Sequence, residues 1–179
     1  MAIDYTRNEI DLLIDLIRED NERKPLTTGQ VTFGAPNNYT PTQGVNRNTS
    51  IIATAIAGRG YSGSQTFYYN RVALSRFVPE YPVDILDFET SEYTKLSQLL
   101  PELNERLKIK LTADKIVDAT LPVFDDDSPT YIDVPLTVAP NSLCYTGTII
   151  LRVHPDWIPL SDVIISRDYD ALIYAAPGN

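Results

Sequence analysis

Apolar residues recur along the first twenty positions with helical spacing: Ile10, Leu13, Ile14 and Ile17 fall at i, i+3, i+4 and i+7, and Leu12 and Leu16 widen the stripe. Asp11, Asp15, Arg18, Glu19 and Glu22 occupy the opposite side. Thr6 and Glu9 have capping-box spacing, and Tyr5 precedes the cap in position to pack on Ile10. The pattern predicts a helix from this cap to about Asn21 or Arg23, ending before Pro25. Its apolar stripe is broad, so either the rest of the chain or a neighbouring subunit must cover it.

The period then changes from 3.6 to 2. "TGQVTFGAP" (28–36) reads as a short strand between glycines, followed by the turn-rich loop "NNYTPTQGVNRN". Ile52, Thr54 and Ile56 alternate with Ile51, Ala53 and Ala55, and β-branched residues dominate, which favours a strand. "AGRGYSG" provides a Gly-rich connection to a return strand over Ser64 to Val72. On that strand Thr66, Tyr68 and Asn70 face one way and Gln65, Phe67, Tyr69 and Arg71 the other. The unit is a β-hairpin.

Helical spacing returns at Tyr93, Leu96, Leu99, Leu100, Leu103 and Leu107, with Ser91 as the expected cap. Pro101 either kinks this helix near Gln98 or serves as the first-turn proline of a second segment, since it has no backbone N–H to donate. A short strand "KIK" (108–110) and a short helix capped by Thr112 follow in this reading. "YIDVPLTVA" and "LCYTGTIILRV" read as a second hairpin around Pro140, Asn141 and Ser142, with Pro135 either confining the first of these strands to an edge or breaking it. "YSGS" (61–64) and "YTGT" (145–148) therefore introduce the second strands of two hairpins. After Pro155, Val163–Ile165 and Ala171–Ala175 are short apolar runs suited to edge strands, at this sheet or on a neighbour.

These elements predict an α+β fold: an antiparallel sheet from two hairpins, a Leu-rich helical region packed on it, and an N-terminal amphipathic helix. The expected division is residues 1–25 as an arm or contact element, 26–155 as the core and 156–179 as a C-terminal extension. A length of 179 residues suits one core of ordinary size. With 43% hydrophobic and 22% charged residues, the chain is expected to fold.

Charge and composition exclude several chemistries. A formal net charge of −9, without a cluster of Lys and Arg, argues against nucleic-acid binding. One Cys and one His exclude an internal disulfide and leave no Cys/His zinc set; Cys144 reads as a small buried hydrophobe. The first twenty residues lack the charge layout of a secretory signal, and no apolar run is long enough to span a bilayer, so no membrane partner is expected.

Candidate catalytic groups fare no better. The Asp125–Asp127 run lacks the spacing of a calcium loop and reads as a solvated turn. His154 with Asp156 and Ser142 or Ser161 lacks a nucleophile elbow and an oxyanion loop. "GRGYSG" precedes a strand and has no Lys, so its glycines serve a turn. Asp87 and Glu89 are ordinary members of an acidic chain. We therefore expect no enzyme activity, no cofactor and no metal. The candidate protein-contact residues are Ile10, Leu13, Ile14 and Ile17 on the helix and Tyr61, Tyr68, Tyr69 and Arg71 on the first hairpin, since aromatic and Arg side chains suit partner surfaces.

Three segments in order, "NRNTSIIATAIAGRGYSGSQTFYYNRVALS", "LLPELNERLKIKLTADKIVDATLP" and "PLTVAPNSLCYTGTIILRV", resemble a family of virion structural proteins of large contractile-tailed bacteriophages. The resemblance spans about residues 28 to 155. It implies a virion location and assembly with other virion proteins or as a symmetric homo-oligomer, in head decoration, neck, tail or baseplate, and carries over no catalytic residue. An alternative expectation is a glycan- or fibre-binding module using Tyr61, Tyr68, Tyr69 and Arg71. A hydrolase acting on cell-wall glycans ranks below both.

Overall fold

A computed structural model describes residues 3–20, 26–41, 44, 46–78, 83–85, 93–125 and 128–154. Helix α1 covers Glu9–Asp20. Strands β1 (Val31–Phe33), β2 (Asn37–Asn38), β3 (Thr49–Ala55) and β4 (Ser64–Tyr69) form one antiparallel sheet, in which β3 pairs with β1 and β2 along one side and with β4 along the other. Alternation sets its faces. Ile51 lies opposite Phe67 and Thr49 opposite Tyr69 on the inner side, while Ser50 opposite Tyr68 and Ile52 opposite Thr66 lie on the outer side.

The second hairpin lies in a separate sheet. Strands β5 (Val72–Ala73) and β8 (Tyr145–Thr146) make a short parallel pair, and β6 (Val83–Ile85), β7 (Ile132–Thr137) and β9 (Thr148–Val153) form a three-stranded sheet with β9 at its centre. Pro135 sits on β7, opposite Ile150, and β7 is an edge strand, as a residue without an N–H requires. The fold is α+β, and the β5–β8 pair ties the two hairpin sheets together.

The two Tyr-x-Gly-x segments adopt one backbone solution. Gly63 and Gly147 have φ of +83° and +89°, a region that favours glycine, and each immediately precedes its strand. The Gly63 carbonyl accepts from Ala55 N at 2.9 Å, and the Gly147 carbonyl accepts from Val138 N at 3.0 Å. In each case the donor follows the last strand pair, Thr54 with Ser64 and Thr137 with Thr148. The tyrosines diverge: Tyr145 is fully buried, while Tyr61 stays half-exposed in its loop.

Between the hairpins, a 3-10 turn at Leu96–Leu99 runs into helix α2 (Leu100–Leu107), and Pro101 stands in the first turn of α2, where its missing N–H costs no hydrogen bond. The expected strand at 108–110 is absent. Lys108 takes the left-handed conformation with φ 53° and ends the helix, and Asn104 then holds Leu111 through both its amide atoms, each at 2.8 Å. This arrangement buries Ile109 and Leu111 instead of pairing them. The helix expected after Thr112 is a single 3-10 turn, Ala113–Lys115. Ser91, the expected cap of the Leu-rich region, lies outside the described residues.

One apolar cluster unites α1, the first hairpin, α2 and the second hairpin: Leu13, Ile51, Leu103, Leu136, Ile149 and Leu151 are all members. The N-terminal helix thus joins the body through Leu12 and Leu13. Of the two covers expected for its apolar face, the rest of the chain and a neighbouring subunit, the structure shows the first over Leu12, Leu13 and Ile14. The expected capping box is also corrected, because helix α1 begins at Glu9 and the Glu9 side chain is used elsewhere. Thr6 instead donates its N–H and hydroxyl to Asp4, holding that carboxyl below its usual range. Tyr5 packs edge-on against Phe77 at 4.9 Å rather than on Ile10.

Candidate functional site

Residues 142–145, Ser-Leu-Cys-Tyr, form the junction through which the elements bearing the candidate residues are joined. From α1, the Glu9 carboxylate accepts from Ser142 Oγ at 2.5 Å, Leu143 N at 2.8 Å and Cys144 N at 3.4 Å. From β4, the Tyr69 hydroxyl donates to Leu143 O at 2.6 Å. Beyond β4, Val72 N donates to Cys144 O at 2.8 Å, which opens the parallel β5–β8 pair. The Glu9 and Tyr69 bonds are shielded from water, where charge-assisted bonds to a carboxylate are strong and an unpaired partner is costly. Burial pushes the Tyr69 and Tyr145 phenols and the Cys144 thiol above their ordinary values, and the Glu9 charge adds to the effect on each. Cys144 is therefore a protonated core residue.

Arg71 belongs to the same junction. Its guanidinium donates to Asn38 Oδ1 at 2.9 Å, Thr49 Oγ1 at 3.2 Å and Ser142 O at 3.4 Å. Its backbone is locked reciprocally to Asn48, whose Oδ1 accepts from Arg71 N at 2.9 Å and whose amide donates to Arg71 O at 3.1 Å. Asn48 N donates in turn to Asn70 Oδ1 at 2.9 Å. The "NRNTS" and "YYNR" segments are thus two halves of one hydrogen-bonded clasp. Tyr69, 5% exposed, is an internal tie, which corrects its placement as a contact residue and takes it from the glycan-binding reading; Arg71 is half-buried, with its guanidinium bonded within the chain.

Helix α1 divides similarly. Leu13 is 0% and Ile14 2% exposed, so neither is available to a partner. Ile10 is 45% exposed and borders a depression of about 400 Å³ that also contains Lys110, Asp114 and Lys115. Ile17 is half-buried and lines a groove of about 400 Å³ between α1 and β4. Leu12, Leu16 and Phe67 share this groove, and Tyr68, 44% exposed, stands at its edge with its ring 4.6 Å from that of Tyr39. Of the expected contact residues, the structure brings Ile17, Tyr68 and Tyr69 to this groove and leaves Ile10, Leu13, Ile14, Tyr61 and Arg71 elsewhere. Arg47 and Arg76 also line it, and no local pattern marks either of them in the sequence.

The remaining chemical candidates resolve into structural roles. Ser142 is buried against Glu9, while His154 Nδ1 lies 3.2 Å from Thr130 O on the exposed end of β9. Nearby, Arg152 holds Asp133 through two bonds of 2.9 and 3.0 Å and lies over the Tyr131 ring; these bonds keep the Asp133 carboxyl below its usual range. Asp125 closes a turn with Ser128. Asp126, Asp127, Asp87, Glu89, Asp156 and Ser161 lie outside the described residues. Among the described residues no group of three or more His, Cys, Asp or Glu side chains is placed to hold a metal ion, and no helix is long and apolar enough to cross a membrane.

The chain belongs to a family of unknown function, DUF7941, whose model matches residues 3–179. No curated protein and no solved structure matches the chain.

Proposed function

We propose that this chain is a non-enzymatic structural protein of a tailed-bacteriophage virion, acting through assembly with other virion proteins or further copies of itself. The observation that carries this reading is the use made of its polar groups. Glu9, Ser142, Cys144, Tyr69 and Arg71, the side chains with most chemical potential, are all spent on holding α1 and the two hairpins together. What faces solvent instead is a sheet surface of Thr, Ser and Tyr with Ile52 49% exposed, a composition suited to packing against protein. The ordered resemblance of residues 28–155 to virion proteins supports the same reading, and with it a place in head decoration, neck, tail or baseplate.

The test is mass spectrometry of gradient-purified particles from cells infected by the phage that encodes the chain. The expected result is this protein at a constant ratio to the major capsid protein. Its presence in the infected-cell lysate but absence from intact particles would overturn the proposal.

A further inference from the structure

We propose that strand β4 pairs edge to edge with β4 of a second copy, antiparallel and about a two-fold axis at Thr66, so that two four-stranded sheets become one. The inference rests on the reading that copies of this chain assemble, and adds the contact that joins them.

The edge is open and its backbone phase is fixed. Strand β4 pairs with β3 on one side, and among the described residues no strand pairs with its other side. Ser64, Gln65, Thr66 and Tyr68 are exposed. The bond from Ala55 N to Gly63 O sets the ladder, so Gln65, Phe67 and Tyr69 turn their backbone groups toward β3, and Ser64, Thr66 and Tyr68 turn theirs outward. The strand sequence Ser-Gln-Thr-Phe-Tyr-Tyr has no charge and no proline, two devices by which natural edge strands discourage pairing.

The chemistry of the sheet selects the occupant. The chain has 15 Lys and Arg and 24 Asp and Glu, yet strands β1 to β4 contain none of them. Two copies of a chain with net charge −9 repel where their acidic surfaces meet, and this sheet is a face on which they do not. Its outward groups are backbone amides and the hydroxyls of Ser50, Thr54, Ser64, Thr66 and Tyr68, and such groups both donate and accept. The edge is therefore complementary to itself, while a strongly acidic or basic partner finds no countercharge on these strands. A two-fold contact brings the same patch together from both copies, which suits a self-complementary edge.

One register uses the whole edge. With the axis at Thr66, that residue faces the partner's Thr66, and Ser64 faces the partner's Tyr68, so every outward residue of β4 enters a hydrogen-bonded pair. Moving the axis to Gln65 or to Phe67 sets Tyr68 or Ser64 opposite a residue outside β4.

Cysteine pairing tests both contact and register in the full-length protein, whose native Cys144 is buried. Thr66→Cys, oxidised gently and resolved without reductant, is expected to give a covalent dimer, because residues paired in this way have Cα atoms about 5.5 Å apart, within disulfide reach. Its yield should exceed that of Val123→Cys, an exposed position outside the strands. Ser64→Cys and Tyr68→Cys should link when mixed and not when either is oxidised alone. Thr66→Lys opposes two like charges at the axis and should weaken the dimer at least about tenfold in analytical ultracentrifugation, with the circular dichroism spectrum unchanged. Absence of a Thr66→Cys dimer above the Val123→Cys level overturns the proposal. So do self-linked Ser64→Cys or Tyr68→Cys as main products, which would mean a parallel edge, and so does a Thr66→Lys protein that associates as the parent does. An oligomer without the expected link rejects this contact and leaves self-assembly standing. A mass of 20.0 kDa throughout rejects both, and incorporation into particles is read separately by mass spectrometry.

Discussion

The Glu9 carboxylate, in the first turn of α1, accepts hydrogen bonds from the Ser142 hydroxyl and the Leu143 amide across more than 130 positions of sequence. A carboxylate here also faces the positive end of the helix dipole, which lowers the cost of keeping it out of water. Glu9→Ala takes this acceptor from three buried donors, the Ser142 hydroxyl and the Leu143 and Cys144 amides, and each such loss costs about 1–3 kcal/mol. We expect Glu9→Ala to destabilise the protein by about 3 kcal/mol and Glu9→Gln by less, measured by urea denaturation. Equal stability of Glu9→Ala and the parent would mean that the junction does not hold α1.

The two faces of α1 should respond oppositely. Ile14→Asp places a charge at a buried position and is expected to unfold the protein or cost more than about 3 kcal/mol, whereas Ile10→Asp, at an exposed position, should change stability by less than about 0.5 kcal/mol. Thermal melts followed by circular dichroism distinguish them. A folded Ile14→Asp variant would restore the helix as a partner-facing arm.

Gly63 and Gly147 share one positive-φ conformation that is open to glycine and strained for a side-chain-bearing residue, so alanine at either should be costly by about 1–3 kcal/mol. The two costs should be similar, because an added Cβ meets nothing within 4 Å at Gly63 and only ordinary contact with Ala73 at Gly147. Chemical denaturation of the two variants side by side tests this. A tolerated Gly63→Ala would show that its loop relaxes and that the two turns are not equivalent.

Cys144 is shielded by its neighbours and its thiol is held protonated by burial and by the Glu9 charge. A thiol-specific chromogenic reagent at pH 8 should therefore react with the native protein at least about a hundredfold more slowly than with the protein in denaturant. Rapid reaction under native conditions would indicate that the junction opens readily.

Much of this architecture was legible because its causes are local. Alternation exposed the β3–β4 hairpin, the lack of an N–H narrowed Pro101 to a kink or a first turn and Pro135 to an edge or a break, of which the structure takes the first turn and the edge, and positive φ suited the glycines before both return strands. The errors share another origin. Thr6 and Glu9 have capping-box spacing, yet Glu9 bonds to residues that folding alone brings near. Arg71 and Tyr69 look like surface recognition groups because nothing local reveals Asn38, Ser142 or Leu143 as their partners. The "KIK" stretch alternates like a strand, but Lys108 turns left-handed to end α2, and Asn104 captures Leu111. Arg47, in a loop, and Arg76, at the end of the 3-10 turn Leu74–Arg76, line one groove, a proximity that no spacing encodes.

The claim that copies of this chain assemble with one another is tested most directly by its mass in solution, measured by light scattering across a concentration series at physiological salt. The account predicts a defined multiple of the 20.0 kDa chain, growing in population with concentration. A mass of 20.0 kDa at every concentration would contradict it.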